Sequence, residues 1–247
     1  MPDKILIKHL FLVLFIEVSF EILFINILKI LNIPSNLYTL TLDKVIFFIL
    51  LLFLNNKLTK QNVHFSVKVD NNGKKYIFMI FVVLLLIGLT HINTFFEATI
   101  IGLIACTTEE YLMRGVVLIS FLQIFKNSKN IYIRILFPIF LSSILFGTEH
   151  FINLYSQNLS MTLAQVIATT ASGFVLASIF LRTGNLLYPM IGHFSLDFFI
   201  VSLNGMSQNT NVSISSVILP SLFYLFISFI ILIPILGKHN HYSSFFF

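Results

Sequence analysis

Eight stretches of roughly twenty apolar residues succeed one another along this chain, and nothing constrains its fold more. They run from about Ile5 to Leu28, Tyr38 to Leu54, Tyr76 to Ile92, Phe96 to Leu122, Ile131 to Ile152, Met161 to Leu181, Leu186 to Leu203 and Val212 to Leu236. A bilayer core of about 30 Å needs about 20 helical residues to cross it. In lipid the backbone must satisfy its own hydrogen bonds, which within one such stretch only a helix does. The expected fold is therefore all-α, a polytopic membrane protein of about eight transmembrane helices. Composition agrees: of 247 residues, 57% are hydrophobic and only 10% charged, too little charge to coat a soluble globule of this size. The first stretch has no small-residue cleavage site and carries Glu17 and Glu21, so it reads as a span and not as a signal peptide.

The net charge of +5 is positioned rather than spread. Lys4 and Lys8, then Lys57, Lys60, Lys68, Lys74 and Lys75, then Lys126, Lys129 and Arg134, then Arg182, then Lys238 fall on alternate loops. The loops between them carry no Lys or Arg, with Lys29 and Lys44 at the first outer turn as the exceptions. This asymmetry is the positive-inside pattern, and it places both termini in the cytoplasm of a multi-pass cell-membrane protein. The basic residues thus serve topology, and no nucleic-acid partner is expected. One cysteine, Cys106, excludes an internal disulfide and a thiolate zinc site. The chain divides into N-terminal helices over 1–95, a core over 96–204 that holds the polar motifs, and a last helix with its tail over 205–247, all within one membrane domain.

Ionisable residues inside the spans are the informative exceptions, because each costs roughly 2.5 to 3.5 kcal/mol to insert. The fourth span contains Glu109-Glu110-Tyr111-Leu112-Met113-Arg114, the fifth ends Phe146-Gly147-Thr148-Glu149-His150, and the seventh contains His193-Phe194-Ser195-Leu196-Asp197. At about 100° per residue, Glu110 and Arg114 share a helix face and are expected to form an ion pair. Glu109 points elsewhere and is the carboxylate left for chemistry. His193 and Asp197 stand in the same i, i+4 relation, so the carboxylate can orient the imidazole. A free carboxylate and two histidines from three helices can converge on one water. They also match a catalytic zinc shell, in which His150, His193 and Glu109 would be the metal ligands. Glu17 and Glu21 read as structural or cavity-lining groups without a marked partner, and Glu149 as a group facing the outer interface or a minor participant beside His150. Straight vertical helices would leave His150 nearer the outer end of its helix than His193 is on its own.

Taken together these segments resemble the CPBP family, the CAAX protease and bacteriocin-processing membrane proteins that include Rce1-like prenyl-protein endopeptidases. The resemblance rests on EExxxR at Glu109 to Arg114, FxxxH at Phe146 to His150 and HxxxN/D at His193 to Asp197, and covers roughly Phe96 to Leu203. Glu149 departs mildly from the small or apolar residue common at that place. The resemblance implies an intramembrane endopeptidase in which Glu109 and His150 activate a water while His193 and Asp197 stabilise the oxyanion. Its substrate would be a membrane-associated protein or peptide of CAAX, leader or bacteriocin-related type. Zinc or another divalent metal is the alternative activator, although HExxH is absent. A non-catalytic bacteriocin self-immunity protein is the competing function, and a proton-coupled transporter a third. The Lys-, Asn- and Ile-rich composition looks bacterial.

Overall fold

The computed structural model describes residues 1–205 and 212–237, so Lys238, the tail after it and most of the last outer turn lie outside the described residues. Eight helical rods and no strand are found among the described residues. They are α1 (Asp3–Ile30), α2 (Leu37–Thr59), α3 (Asn71–Thr90), α4 (92–125), α5 (Tyr132–Tyr155), α6 (Leu159–Thr183), α7 (Leu187–Asn204) and α8 (Ile214–Gly237). The chain is an all-α polytopic membrane protein, and a helix is found at each of the eight expected stretches. Their starts are written in the sequence. The Asn36 side chain accepts from the backbone of Tyr38 and Thr39 to open α2, Asp70 accepts from Gly73 N, and Asn158 from Met161 N. Gly184, at φ 65°, stops α6 in the left-handed region that a glycine enters without a Cβ clash.

Contacts between helix ends establish the alternation. At one end the His9 ring is 2.8 Å from Leu58 O, linking the start of α1 to the end of α2. There too Gln61 Nε2 donates to Gln123 Oε1 at 3.3 Å, beside the end of α4. At the opposite end Lys29 lies 4.7 Å over the Tyr155 ring, joining the ends of α1 and α5. Thr94 Oγ1 donates to Ser202 O at 2.7 Å, joining the start of α4 to the end of α7. The described basic loop residues that alternate in the sequence therefore belong to one end of the bundle.

Six of the eight helices are long and apolar enough to cross a membrane by themselves: α1, α2, α3, α5, α6 and α8. The two that are not, α4 and α7, carry EExxxR and HxxxD, and they pack extensively on each other. Their close approach requires Gly102, where an added Cβ would stand 2.9 Å from the Phe194 ring. Neither α4 nor α5 is a uniform α-helix. Backbone bonding in α4 widens to π geometry over Tyr111–Leu118, directly after Glu110, and α5 tightens to a 3-10 turn over His150–Tyr155. Such irregularities re-aim side chains out of the regular 3.6-residue phase. Between α2 and α3, residues 60–70 form an extended strap across the lysine-rich end. The amide of Leu186 donates to His64 O at 2.7 Å, and Asn185 exchanges two bonds with the Ser66 backbone at 2.8 and 3.0 Å.

Candidate active site

Arg114 organises the centre of the bundle. A fully buried guanidinium must have its charge and its N–H groups met by the protein. Here one nitrogen donates to Glu110 Oε1 at 2.8 Å and another to Gly173 O of α6 at 3.2 Å, while the Phe146 ring of α5 lies 4.5 Å below its face and Nε has no hydrogen-bond partner among the described residues. The expected Glu110–Arg114 ion pair is present. One residue thereby ties α4, α5 and α6 together.

Glu110 does more than neutralise Arg114. The same Oε1 also receives His193 Nδ1 at 2.8 Å, so Glu110 fixes the orientation of the imidazole on α7. The other ring nitrogen, Nε2, stands 3.3 Å from Asp197 Oδ2 and 3.7 Å from Glu109 Oε2. The i, i+4 spacing did bring His193 and Asp197 together. What spacing within one helix could not reveal is the bond across to Glu110. Glu109 keeps a side chain 22% exposed, against none for Glu110. The two adjacent glutamates thus differ in access as well as in partner.

His150 begins the 3-10 turn of α5, and its Nδ1 donates to Phe146 O at 3.0 Å, which leaves the ring's lone pair on Nε2. The Phe146 ring stands edge-on to the His150 ring at 5.5 Å and to the His193 ring at 5.7 Å. Both histidines thus border one ring, although straight helices would set them at different depths. Glu109, Glu110 and Asp197 thus surround the His193 ring, and Phe146 borders His193, His150 and Arg114.

Lys44 and the α1 glutamates stand differently from the sequence reading. Lys44 is not a loop charge at the outer turn; it lies inside α2 and pairs with Glu21 at 2.6 Å. Glu21 therefore has a partner after all. Glu149 does not simply face the interface, because its Oε1 is enclosed. The signal for these contacts was two glutamates one turn apart on α1 and an Asp-Lys pair on the next helix.

A metal would need its donors free and grouped. His193 Nδ1 is taken up by Glu110 Oε1, and its Nε2 stands 3.3 Å from Asp197 Oδ2. Among the described residues no three His, Cys, Asp or Glu side chains form a group that could hold a metal ion. As placed, His150, His193 and Glu109 do not make up such a group.

Residues 75–199, from the first turns of α3 through most of α7 and including all three motifs, match the family model described as type II CAAX prenyl endopeptidase Rce1-like. Neither the curated proteins nor the solved structures contain a match to the chain. The family match takes in just over half of the 247 residues and coincides with the helices that build the polar centre: this chain belongs to the Rce1-like family of CAAX-type intramembrane endopeptidases.

Proposed function

We propose that the protein hydrolyses a peptide bond in a membrane-associated protein or peptide, using Glu109 and His150 to activate the attacking water. The observation that carries this reading is the division of labour between the two glutamates. Glu110 is fully buried and occupied by Arg114 and His193, whereas Glu109 is partly accessible and shares the space in front of His193 Nε2.

The chemistry follows from those positions. A water held between the Glu109 carboxylate and the His150 Nε2 lone pair loses its proton to Glu109 as its oxygen bonds to the scissile carbonyl carbon. The His193 ring, held through Nδ1 by Glu110 and beside Asp197, offers its Nε2–H to the oxyanion, a donor fixed before the charge develops. Collapse of the tetrahedral intermediate breaks the C–N bond, and the proton taken up by Glu109 passes to the leaving amine. Products are a carboxylate and an amine, and every step uses side chains of this chain.

The charge pattern supports an orientation with both termini on the cytoplasmic side, and the composition supports a bacterial source. CAAX-type, leader and bacteriocin-related peptides are the substrate classes to test first. Purified protein in detergent is incubated with farnesylated CAAX peptides and with leader-type peptides, beside Glu109→Ala. Cleavage by the wild type and none by the variant supports the reading. Equal product from both, or none from either across the panel, removes it.

A further inference from the structure

At the lysine-rich end, the turn between α4 and α5 carries charge that nothing nearby in the chain offsets. From Gly115 to Thr148 the sequence has Lys126, Lys129 and Arg134 and no acidic residue, whereas Lys4 and Lys8 follow Asp3 and the 57–75 stretch includes Asp70. Lys126 and Lys129 are exposed and Arg134 is half-buried. None of the three forms an ion pair among the described residues.

The same turn opens onto an apolar groove. Tyr132, Ile133, Leu136, Phe137 and Phe140 line a hollow of about 280 Å³ on one face of α5, smaller than an enclosed drug-sized pocket and suited to one slender chain. Tyr132, Ile133, Phe137 and Phe140 are between 41% and 60% exposed. The rings are braced from neighbouring helices: Phe137 meets Phe125 of α4 edge-on at 5.1 Å and stacks on Phe140 at 6.3 Å, and Phe140 meets Phe174 of α6 at 6.3 Å. Backbone bonding over Tyr132–Leu136 widens to π geometry, an irregularity that recurs at functional sites. Asn130 Oδ1 accepts from Tyr132 N at 2.9 Å, which ties the basic turn to the mouth of the groove. From Tyr132 to Phe140 the helix rises about 12 Å, close to the roughly 15 Å of hydrocarbon in one leaflet. Tyrosine at the mouth is a residue type that membrane interfaces favour. Three cations without a counter-ion select an anionic headgroup over a zwitterionic one.

We propose that this groove is a binding site for an anionic phospholipid of the cytoplasmic leaflet, its phosphate taken by Lys126, Lys129 and Arg134 and one acyl chain lying along Tyr132, Leu136 and Phe140. The choice of leaflet rests on the orientation set by the basic loops, and the site does not depend on the endopeptidase reading. Because α5 continues to Phe146 and His150, a lipid seated here braces the helix that brings them to the centre.

Native mass spectrometry of the full chain released from detergent tests this, with phosphatidylglycerol, phosphatidylcholine or a farnesylated peptide added. The wild type should retain one phosphatidylglycerol more tightly than phosphatidylcholine. Lys126→Gln/Lys129→Gln/Arg134→Gln should weaken phosphatidylglycerol by about 10- to 100-fold, the effect of three charges near an anionic surface, and bring it to the level of phosphatidylcholine. Lys126→Gln/Lys129→Gln, which changes exposed side chains alone, should show an intermediate loss and covers a failure of the triple variant to fold. Phe140→Ala keeps the charges but opens the groove, and should weaken both lipids. Lys57→Gln/Lys60→Gln/Lys68→Gln removes as much charge from the same end and should leave retention unchanged. Equal retention of the two lipids by the wild type, an equal loss in the Lys57/Lys60/Lys68 variant, or unchanged retention in Phe140→Ala overturns the site. Displacement of the lipid by the farnesylated peptide would make the groove part of the substrate site, and a doubled mass without lipid would make it an interface between copies; either result also overturns it.

Discussion

His193 Nδ1 and Glu110 Oε1 are 2.8 Å apart, and that same oxygen takes the Arg114 guanidinium at 2.8 Å. A single carboxylate oxygen therefore joins the cation that locks α4 to α5 and α6 with the imidazole that faces the chemistry. In the proposed mechanism stability and catalysis would converge on that one atom, with Glu110 a positioning residue as well as a counter-ion.

Removing Glu110 alone strands a fully buried guanidinium, and breaking a buried pair in this way costs about 3–5 kcal/mol. Glu110→Gln should lower the melting temperature in detergent and abolish peptide cleavage. Deleting both charges, in Glu110→Leu/Arg114→Leu, should recover much of the stability, because no unpaired charge remains. Cleavage should stay absent, since His193 has lost its anchor. A double variant that cleaves at the wild-type rate would show that the orientation of His193 does not depend on Glu110.

Glu109→Gln keeps the size and polarity of the side chain while removing the base. The residue is partly accessible and makes no ion pair with Arg114, so melting temperature and monodispersity should match the wild type. Loss of a general base lowers turnover by about 10²- to 10⁴-fold. Single-turnover cleavage assays decide it: turnover within a few fold of wild type would take the role away from Glu109.

Much of this was legible in the sequence because hydrophobic length and i, i+4 spacing are local properties. The eight spans, the Glu110–Arg114 pair and the nearness of His193 to Asp197 all follow from residues within one helix. What was hidden is contact between helices: Glu110 to His193, Lys44 to Glu21, and the strap held through Asn185. Helix phase carries no information about which neighbour a side chain meets across a bundle. The π geometry after Glu110 and the 3-10 turn at His150 also shift side chains away from the regular phase on which such reasoning depends. Lys44 misled for a related reason, since a lysine near the start of a span looks topogenic until its partner on α1 is seen.

The FxxxH segment also contains a packing constraint. A Cβ on Gly147 would collide with the Thr170 side chain and stand 2.8 Å from Val166 O, so α5 and α6 touch through this glycine. Gly147→Ala should push the helices apart, costing roughly 1–3 kcal/mol as overpacking does. It should depress cleavage as well, because Phe146 and His150 move with α5. Pairing it with Thr170→Ala, which removes the hydroxyl that the new Cβ would meet, should restore part of both. If the single variant melts and cleaves as the wild type does, the contact is softer than described.

The last expectation concerns Phe146, whose aromatic ring has three simultaneous contacts. It supports the Arg114 guanidinium at 4.5 Å and meets the His150 and His193 rings edge-on at 5.5 and 5.7 Å. At 2% exposed it is also part of the apolar core with Leu10, Phe47, Leu51 and Met113. Phe146→Leu keeps most of the hydrophobic volume but removes the flat face that supports the guanidinium and spaces the two imidazoles. An aromatic pair contributes about 0.5–1.5 kcal/mol beyond its buried area, and a desolvated cation–π contact about 2 kcal/mol. The variant should therefore lose a few kcal/mol of stability and remain folded. Its kinetic signature should be a fall in kcat with little change in KM, because the ring spaces the catalytic groups and does not itself bind the peptide. Phe146→Tyr keeps the ring but adds a hydroxyl in a closed site, and should be stable enough to assay while recovering turnover over Phe146→Leu. Should Phe146→Leu raise KM alone, the ring belongs to the substrate site; should Tyr and Leu be equally impaired in kcat, the aromatic contacts are not what spaces the histidines.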